Sequence, residues 1–271
     1  EVGDALARHP GIDHISFTGS PTVGTIIQQV AAERHCPVTL ELGGKSPQII
    51  FADADLDAAI PMVINAIVQN AGQTCSAGSR VLIDELIYEP LLTRLGEAFE
   101  KLRVGPAILD LDVGPLIRQS QQQRVWDFLS DAQVAGIPMV AQGQIVDDAP
   151  ETGFYQAPTL LRDVPVMHRL AQDEVFGPVL SAMSFRDEDQ AVELANATKF
   201  GLVPRRRAPV SHGQTRQERP GLRQQLRCRR RRGAAVWRRE VVGLRPGERF
   251  RGAARVHHAE DRGNQARLTD F

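Results

Sequence analysis

The sequence predicts an α/β fold built around a largely parallel sheet. Short runs rich in β-branched residues alternate with longer amphipathic segments over residues 12–197. Gly, Pro, Asp and Ser occupy the junctions between these segments, and these residues are typical of helix caps and tight turns. A chain of 271 residues also has ample apolar content for a buried core.

The first predicted unit is a strand, a turn and a helix. The strand covers residues 12–17, the turn is TGSPTVG at 18–24, and the helix continues to about Arg34. A glycine turn at this junction leaves backbone N–H groups free, which suits a phosphate, and Ser20 can both cap the helix and donate to a phosphate oxygen. Capping alone would also explain these residues, and the spacing of Gly19 and Gly24 is not the GxGxxG dinucleotide fingerprint.

The second unit places a carboxylate where a strand ends. The β-rich run PVTLEL at 37–42 brings Glu41 directly before Gly43 and Gly44. A carboxylate in this position can face a crevice and act as a general base, although a solvated strand-end glutamate is the alternative. A strand at 46–51 follows, and then a helix whose apolar residues are Leu56, Ile60, Val63, Ile64 and Ile67.

A cysteine lies at the end of that helix, in the segment QNAGQTCSAGSR at 69–80. Small and polar neighbours would leave the Cys75 thiol open to a substrate and close to backbone N–H groups. This environment is typical of a nucleophilic cysteine. The alternative is a small residue that only fills a loop.

The later elements continue the same alternation. Strands are predicted at 81–87, 137–141, 154–164 and 179–185, and helices at 90–102, 118–135 and 187–197. The turn QDEVFGPV at 172–179 combines a carboxylate, an aromatic ring, a Gly and a Pro. Glu174 and Phe176 could belong to a functional site. Alternatively, Glu174 is a solvated charge and Phe176 a core residue.

The charges divide the chain into two different kinds of sequence. Residues 1–202 hold 13 Lys and Arg against 27 Asp and Glu, a formal charge of −14, whereas residues 203–271 hold 19 against 6, a charge of +13. The three cysteines form no CxxC pair, so neither a disulfide framework nor a metal site is predicted, and a reducing, cytoplasmic setting fits best. No apolar run has the length of a membrane span, and no signal peptide opens the chain.

Three motifs together resemble the aldehyde dehydrogenase superfamily. ELGGKSP at 41–47, GQTCSAGSR at 72–80 and EVFGPV at 174–179 occur in the order and approximate spacing of that family. FTGSPTVG at 17–24 and GFYQAPTL at 153–160 are also similar to it. The resemblance covers residues 1–202.

The resemblance implies an aldehyde dehydrogenase-like fold. Residues 1–41 would be the last part of a Rossmann-like cofactor domain, and residues 42–202 a catalytic domain with a parallel α/β sheet. It also implies NAD(P)-dependent oxidation of an aldehyde to a carboxylic acid, with Cys75 as the nucleophile and Glu41 as the general base. The residues that would contact NAD or NADP are Gly19, Ser20 and Gly24 at the pyrophosphate, Leu42, Glu174 at a ribose and Phe176 at the nicotinamide. Homo-oligomers are common in the family but doubtful for this fragment.

Both ends of the sequence depart from the family pattern. The first half of the cofactor domain and an oxyanion-hole asparagine are expected to be missing at the front, so the choice between NAD and NADP is not readable. From about residue 203 the chain becomes Arg-rich with little apolar periodicity. GC-rich codons for RRRRGAAVWRREVVGLRPGE, read one nucleotide out of frame, give GGGVELPFGGVKSSGYGRE, which resembles the family's glycine-rich segment. We therefore expect residues 203–271 to be out of frame and disordered.

Three functional classes follow from the sequence. The first is an aldehyde dehydrogenase acting on a small-molecule aldehyde, without a nucleic-acid or membrane partner. The second is a catalytically inactive fragment or pseudogene product of that family. The third is a nucleic-acid-binding protein whose Arg-rich tail attracts phosphate.

Overall fold

The chain begins with a small parallel α/β unit. The computed structural model describes residues 2–201 and, beyond them, 229–231 and 234–236. Helix α1 (Val2–Arg8), strand β1 (Ile15–Thr18), helix α2 (Pro21–Ala32) and strand β2 (Val38–Glu41) come first. Strands β1 and β2 pair in parallel and place Thr18 opposite Glu41. Ser20 is the N-cap of α2, because its Oγ accepts a hydrogen bond from the N–H of Val23 at 3.3 Å.

A five-stranded sheet forms the centre of the described chain. Its strands lie in the order β3, β4, β9, β8 and β6, and all neighbours are parallel except β6 and β8. The predicted α/β fold with a largely parallel sheet is therefore confirmed. The elements after β2 are, in chain order, β3 (Pro47–Ile50), α3 (Leu56–Val68), β4 (Arg80–Asp84), α4 (Tyr88–Glu100), β5 (Arg103–Val104), α5 (Gln119–Val134), β6 (Met139–Gln142), β7 (Gln144–Ile145), β8 (Thr159–Leu161), α6 (Arg169–Gln172), β9 (Val179–Phe185), α7 (Glu188–Asn196), β10 (Arg229–Arg231) and β11 (Ala234–Val236).

Helices cover both faces of this sheet and create two apolar cores. Val81 and Ile83 of β4 belong to the core beneath α3 and α4, whereas Leu82 between them belongs to the core beneath α5, α6 and α7. This alternation follows the two-residue period of a strand. A central strand buried on both faces is typical of parallel sheets, and it gives the loops at the ends of the strands a rigid support.

Proline shifts two element boundaries from their predicted positions, and a glycine ends a third element where predicted. The strand predicted at 154–164 covers only Thr159–Leu161, because Pro158 has no N–H to donate to a neighbouring strand. Helix α4 starts at Tyr88, two residues before Pro90, which lies in the first turn where a missing N–H is tolerated. Gly136 ends α5 as predicted, in the left-handed conformation at φ +70°.

Strands β10 and β11 pair antiparallel. The remainder of the Arg-rich segment 203–271, including the expectation that it is out of frame, lies outside the described residues. No helix among the described residues is long and apolar enough to cross a membrane.

Candidate active site

A reversal of the chain after α3 positions Cys75. Asn70, Ala71 and Gly72 have left-handed φ values of 52°, 54° and 72°. The side chains of Asn70 and Gln73 each donate to the carbonyl of the other residue, at 3.0 and 3.1 Å. Left-handed residues other than Gly are strained and concentrate at functional sites, and here they lead into the loop that carries the half-buried free thiol of Cys75.

The segment after Cys75 is held against the sheet from two sides. The N–H of Gly78 donates to the carbonyl of Ala66 in α3 at 3.0 Å, and Nε2 of the buried Gln48 donates to the carbonyl of Gly78 at 2.8 Å. Among the described residues, the N–H of Cys75 donates to no acceptor. A free amide beside a thiol can stabilise an oxyanion that forms on a carbon attached to the sulfur.

The turn at residues 172–179, here called the Phe176 turn, packs against the segment 69–80, here called the Cys75 loop. A Cβ on Gly72 would collide with the carbonyl group of Gly177 and would lie 2.7 Å from the nitrogen of Pro178. Gly177 is equally confined, since a Cβ there would lie 2.5 Å from Cγ2 of Val125 in α5. Phe176 itself is half-buried and adopts φ +60°. Only Gly at position 72 allows this approach of two backbones.

The polar face of α5 fixes the backbone of the same turn. Nε2 of Gln121 donates to the carbonyls of Val175 and Phe176, at 3.0 and 2.8 Å. Nη2 of Arg124 donates to the carbonyl of Glu174 at 2.6 Å, and its Nε donates to that of Val175 at 3.3 Å. Sequence reasoning missed both residues, because they belong to a polar run that looks like a solvated helix face. Their spacing of three residues, which places them on one face, was the available signal.

Glu174 lies against the double glycine of the ELGGKSP motif. Its Oε1 accepts a hydrogen bond from the N–H of Gly44 at 3.3 Å, and a Cβ on Gly43 would lie 3.1 Å from its Cδ. Burial raises the pKa of the Glu174 carboxyl, while the Gly44 hydrogen bond and the positive charges of Lys45 and Arg124 act in the opposite direction. Oε2 accepts no hydrogen bond from the described residues. It therefore offers an acceptor for a hydroxyl group.

The small parallel unit contributes Glu41 and the loop between β1 and α2. The N–H of Gly19 donates to the carbonyl of Glu41 at 3.0 Å, so this loop and the end of β2 are adjacent. A Cβ on Gly24 would lie 2.6 Å from Cδ2 of Leu42, which means that α2 packs tightly on the start of ELGGKSP. The side chains of Ser20 and Glu41 are exposed. No hydrogen bond joins the Glu41 carboxylate to the Cys75 thiol within the part of the chain that the structure describes.

Two buried cations lie behind these loops, and sequence reasoning assigned no role to either. Lys45 is 2% exposed, and its Nζ has no hydrogen-bond partner among the described residues. Burial lowers the pKa of Lys45 to about 7, and the nearby charge of Arg80 acts in the same direction. The Arg80 guanidinium donates to the carbonyls of Lys45, Leu194 and Ala195 at 3.0, 2.8 and 2.9 Å. A charged residue inside a motif, directly before a buried strand, was the available signal.

The contacts bring the three sequence motifs together. Gly43 and Gly44 touch Glu174, and Gly72 touches Gly177 and Pro178. No group of three His, Cys, Asp or Glu residues that could hold a metal ion occurs among the described residues. The fold and these contacts define an α/β protein with a candidate site at an accessible cysteine.

Comparison with known proteins identifies the family. The profile of the aldehyde dehydrogenase family matches residues 1–204, and the chain belongs to that family. A crystal structure of a "putative aldehyde dehydrogenase" from Burkholderia cenocepacia is 71% identical, with a TM-score of 0.74, and the match covers 76% of this chain and 44% of that one. A betaine aldehyde dehydrogenase from Staphylococcus aureus, solved in complex with NAD+, is 34% identical with a TM-score of 0.71 over 75% and 41% of the two chains.

A curated relative from Staphylococcus epidermidis, which is also named a "putative aldehyde dehydrogenase", is 40% identical over 203 residues. The match covers 74% of this chain and 43% of that protein. The chain therefore spans less than half the length of the relatives that it matches.

Proposed function

We propose that this chain carries the thiol-dependent chemistry of an NAD(P)-dependent aldehyde dehydrogenase. The observation that supports this proposal best is the packing of the Cys75 loop on the Phe176 turn through Gly72, because it joins a nucleophile to the residues expected to hold the cofactor. The substrate class is a small-molecule aldehyde. The three cysteines without a disulfide framework favour a reducing compartment, the cytoplasm.

In the proposed reaction, the Cys75 thiolate adds to the aldehyde carbon and forms a thiohemiacetal. The free N–H of Cys75 stabilises the oxyanion of this species. When bound, NAD(P)+ would supply the acceptor for the hydride that leaves the same carbon, and Cys75 would then carry a thioester. Glu41 then takes a proton from water, and the hydroxide attacks the thioester carbonyl. The carboxylic acid leaves, the Cys75 thiolate is restored, and Glu41 releases its proton to solvent.

The residues present fit a nicotinamide cofactor at two places. The open acceptor Oε2 of Glu174 suits a ribose hydroxyl, and Phe176 on the same turn would contact the nicotinamide. Gly19 and Ser20 lie at the start of α2, where the exposed Ser20 hydroxyl and the positive end of the helix dipole favour a pyrophosphate, and Gly24 packs against Leu42 behind them.

The first experiment measures NAD(P)H formation from a simple aliphatic aldehyde with NAD+ or NADP+. The full chain should reduce one of them, and Cys75→Ser should abolish the signal. Cys36→Ser is the matched control, because Cys36 is also a half-buried free thiol but lies in the small parallel unit. Equal rates for Cys75→Ser and the unmodified chain would contradict the proposal.

A second experiment separates the nucleophile from cofactor binding. p-Nitrophenyl acetate acylates an activated thiol without any cofactor, so the full chain should show a burst of p-nitrophenol followed by slow turnover. Glu41→Gln should keep the burst and slow the turnover, whereas Cys75→Ser should lose the burst. Absence of both the burst and NAD(P)H, with the thiol intact, would favour the inactive fragment.

We also propose that residues 203–271 are the family's C-terminal coding sequence read out of frame. The charge reversal from −14 to +13 at this point of the chain supports the proposal. The source DNA tests it, since a one-nucleotide shift should restore an aldehyde dehydrogenase ending. A nucleotide sequence in which no shift does so would refute it.

A further inference from the structure

Lys45 is held rigidly in a place where its charge has no direct partner. Its carbonyl accepts a hydrogen bond from Nε of Arg80 at 3.0 Å, and the carbonyl of the next residue, Ser46, accepts one from the N–H of Arg80 at 3.4 Å. The side chain is buried, and its Nζ has no hydrogen-bond partner among the described residues. A buried ammonium without a hydrogen bond is costly, so burial is the main cause that disfavours protonation of the amine, and the charges around it modify this effect.

Four charged groups from three other parts of the fold act on this amine. Arg80 of β4 and Arg124 of α5 disfavour its protonation, whereas Glu174 and Asp173, which follow α6, favour it. Asp173 is engaged elsewhere, since its Oδ1 lies 3.3 Å from Nζ of the exposed Lys199. The Glu174 carboxylate forms no ion pair with any described residue, and the one hydrogen bond that it accepts comes from Gly44, the neighbour of Lys45.

We propose that Lys45 is a positioning residue for Glu174, whose carboxylate it keeps ionised and oriented toward the Gly43–Gly44 backbone. Because Lys45 is buried and Glu174 is half-buried, the attraction between them is screened less than it would be in water. Arg124 fixes only the backbone carbonyl of Glu174, so it leaves the direction of the carboxylate to Gly44 and Lys45. The consequence for cofactor affinity rests on the proposed function, but the coupling between the two side chains does not.

The chain offers a direct test of this coupling, because it contains only three lysines, Lys45, Lys101 and Lys199. Labelling the full chain with [ε-13C]lysine therefore gives three signals whose titration can be followed by NMR. Lys101 and Lys199 are exposed, and Lys101→Arg and Lys199→Arg assign the spectrum without disturbing the core. The Lys45 signal should titrate near pH 7, well below the ordinary lysine value of 10.5.

The decisive variants neutralise one carboxylate at a time. Glu174→Gln should lower the titration midpoint of Lys45 by about 1 pH unit, because the ammonium loses its main counter-charge. Asp173→Asn is the matched control and should lower it less, since Glu174 has the larger influence on Lys45. An unchanged midpoint in Glu174→Gln, equal effects of the two variants, or a Lys45 midpoint at the ordinary lysine value of 10.5 would each overturn the proposal.

A kinetic measurement then examines the consequence. Lys45→Met should raise KM for the cofactor severalfold while kcat changes little, because only the group that holds the ribose is disturbed. A fall in kcat at unchanged KM would overturn the positioning role. If the unmodified chain forms no NAD(P)H, the proposed function fails, but the NMR midpoints still decide whether Lys45 and Glu174 are coupled.

Discussion

Substitution of Gly72 by Ala adds only one methyl group, but it should destabilise the fold around the candidate site strongly. The residue has φ +72°, and an L-residue there costs about 1 kcal/mol in backbone strain. The added Cβ would also collide with the carbonyl group of Gly177 and lie 2.7 Å from the nitrogen of Pro178, whereas ordinary contacts begin at 3.4 Å. These are backbone atoms of a turn that Gln121 pins, so they cannot swing aside.

Such overpacking adds about 1–3 kcal/mol, and Gly72→Ala should therefore lower the free energy of unfolding by roughly 2–4 kcal/mol. Gly136→Ala is the matched control. Gly136 has nearly the same φ, +70°, but nothing lies within 4 Å of its Cβ position, so only the strain of about 1 kcal/mol should remain. Urea unfolding followed by circular dichroism compares the two variants with the unmodified chain.

A second measurement reports on the site itself. Alkylation of Cys75 by iodoacetamide, quantified by peptide mass spectrometry with Cys36 as an internal reference, should become faster in Gly72→Ala, because the Cys75 loop is pushed off its support. Gly136→Ala should leave the rate unchanged. If the two variants lose stability equally, within about 0.5 kcal/mol, the contact between Gly72 and the Phe176 turn does not hold the site together and our reasoning is wrong.

Three further predictions concern stability measured by urea unfolding. Because the folded-state pKa of Lys45 is lowered from 10.5 to about 7, stability from this group is present above pH 10.5 and is lost as the pH falls toward 7. Between about pH 9.5 and 7.5 the unmodified chain should therefore lose up to about 1.4 kcal/mol per pH unit more than Lys45→Met, and parallel pH profiles would refute this. Gln121→Leu should cost about 1–2 kcal/mol, because two carbonyls lose their donor, and Gln123→Leu on the exposed face of α5 should cost less than about 0.5 kcal/mol. Phe99→Ala, in the core beneath α4, should cost about 3–5 kcal/mol, and a loss below 1 kcal/mol would mean that this core is not closely packed.

Local sequence patterns sufficed for the class of fold and for the family. Alternation of strands and helices predicted the parallel sheet, and the motifs around Glu41, Cys75 and Glu174 predicted membership of the aldehyde dehydrogenases, which the family profile confirms. The contacts between the motifs follow from the sheet order, in which β9 lies beside β4. The pairing of β9 with β4 depends on packing between distant parts of the chain, so it cannot be predicted from a local sequence pattern.

The residues that hold the site loops in place could not be predicted from the sequence for a different reason. Gln121 and Arg124 look like any polar helix surface, and their role exists only because a turn 50 residues later comes to lie on them. Lysine side chains are usually exposed to solvent, so the residue type alone predicts an exposed Lys45, whereas the structure buries it. The catalytic roles of Cys75 and Glu41 stay predictions, since a static arrangement does not reveal chemistry.

The β1–β2 pair and the five-stranded sheet should differ in how easily they unfold locally around the candidate site. Strands β1 and β2 form only one pair, with half-buried and exposed residues in alternation, whereas the first four residues of β4 are all buried. Amide hydrogens in β1 and β2 should therefore exchange with solvent at a lower opening free energy than those of β4. Gly19 and Glu41 belong to the weaker part, and the Cys75 loop to the stronger. Under mild destabilisation, the β1–β2 unit would unfold first and release Glu41, the proposed general base, while the Cys75 loop would stay folded on the five-stranded sheet.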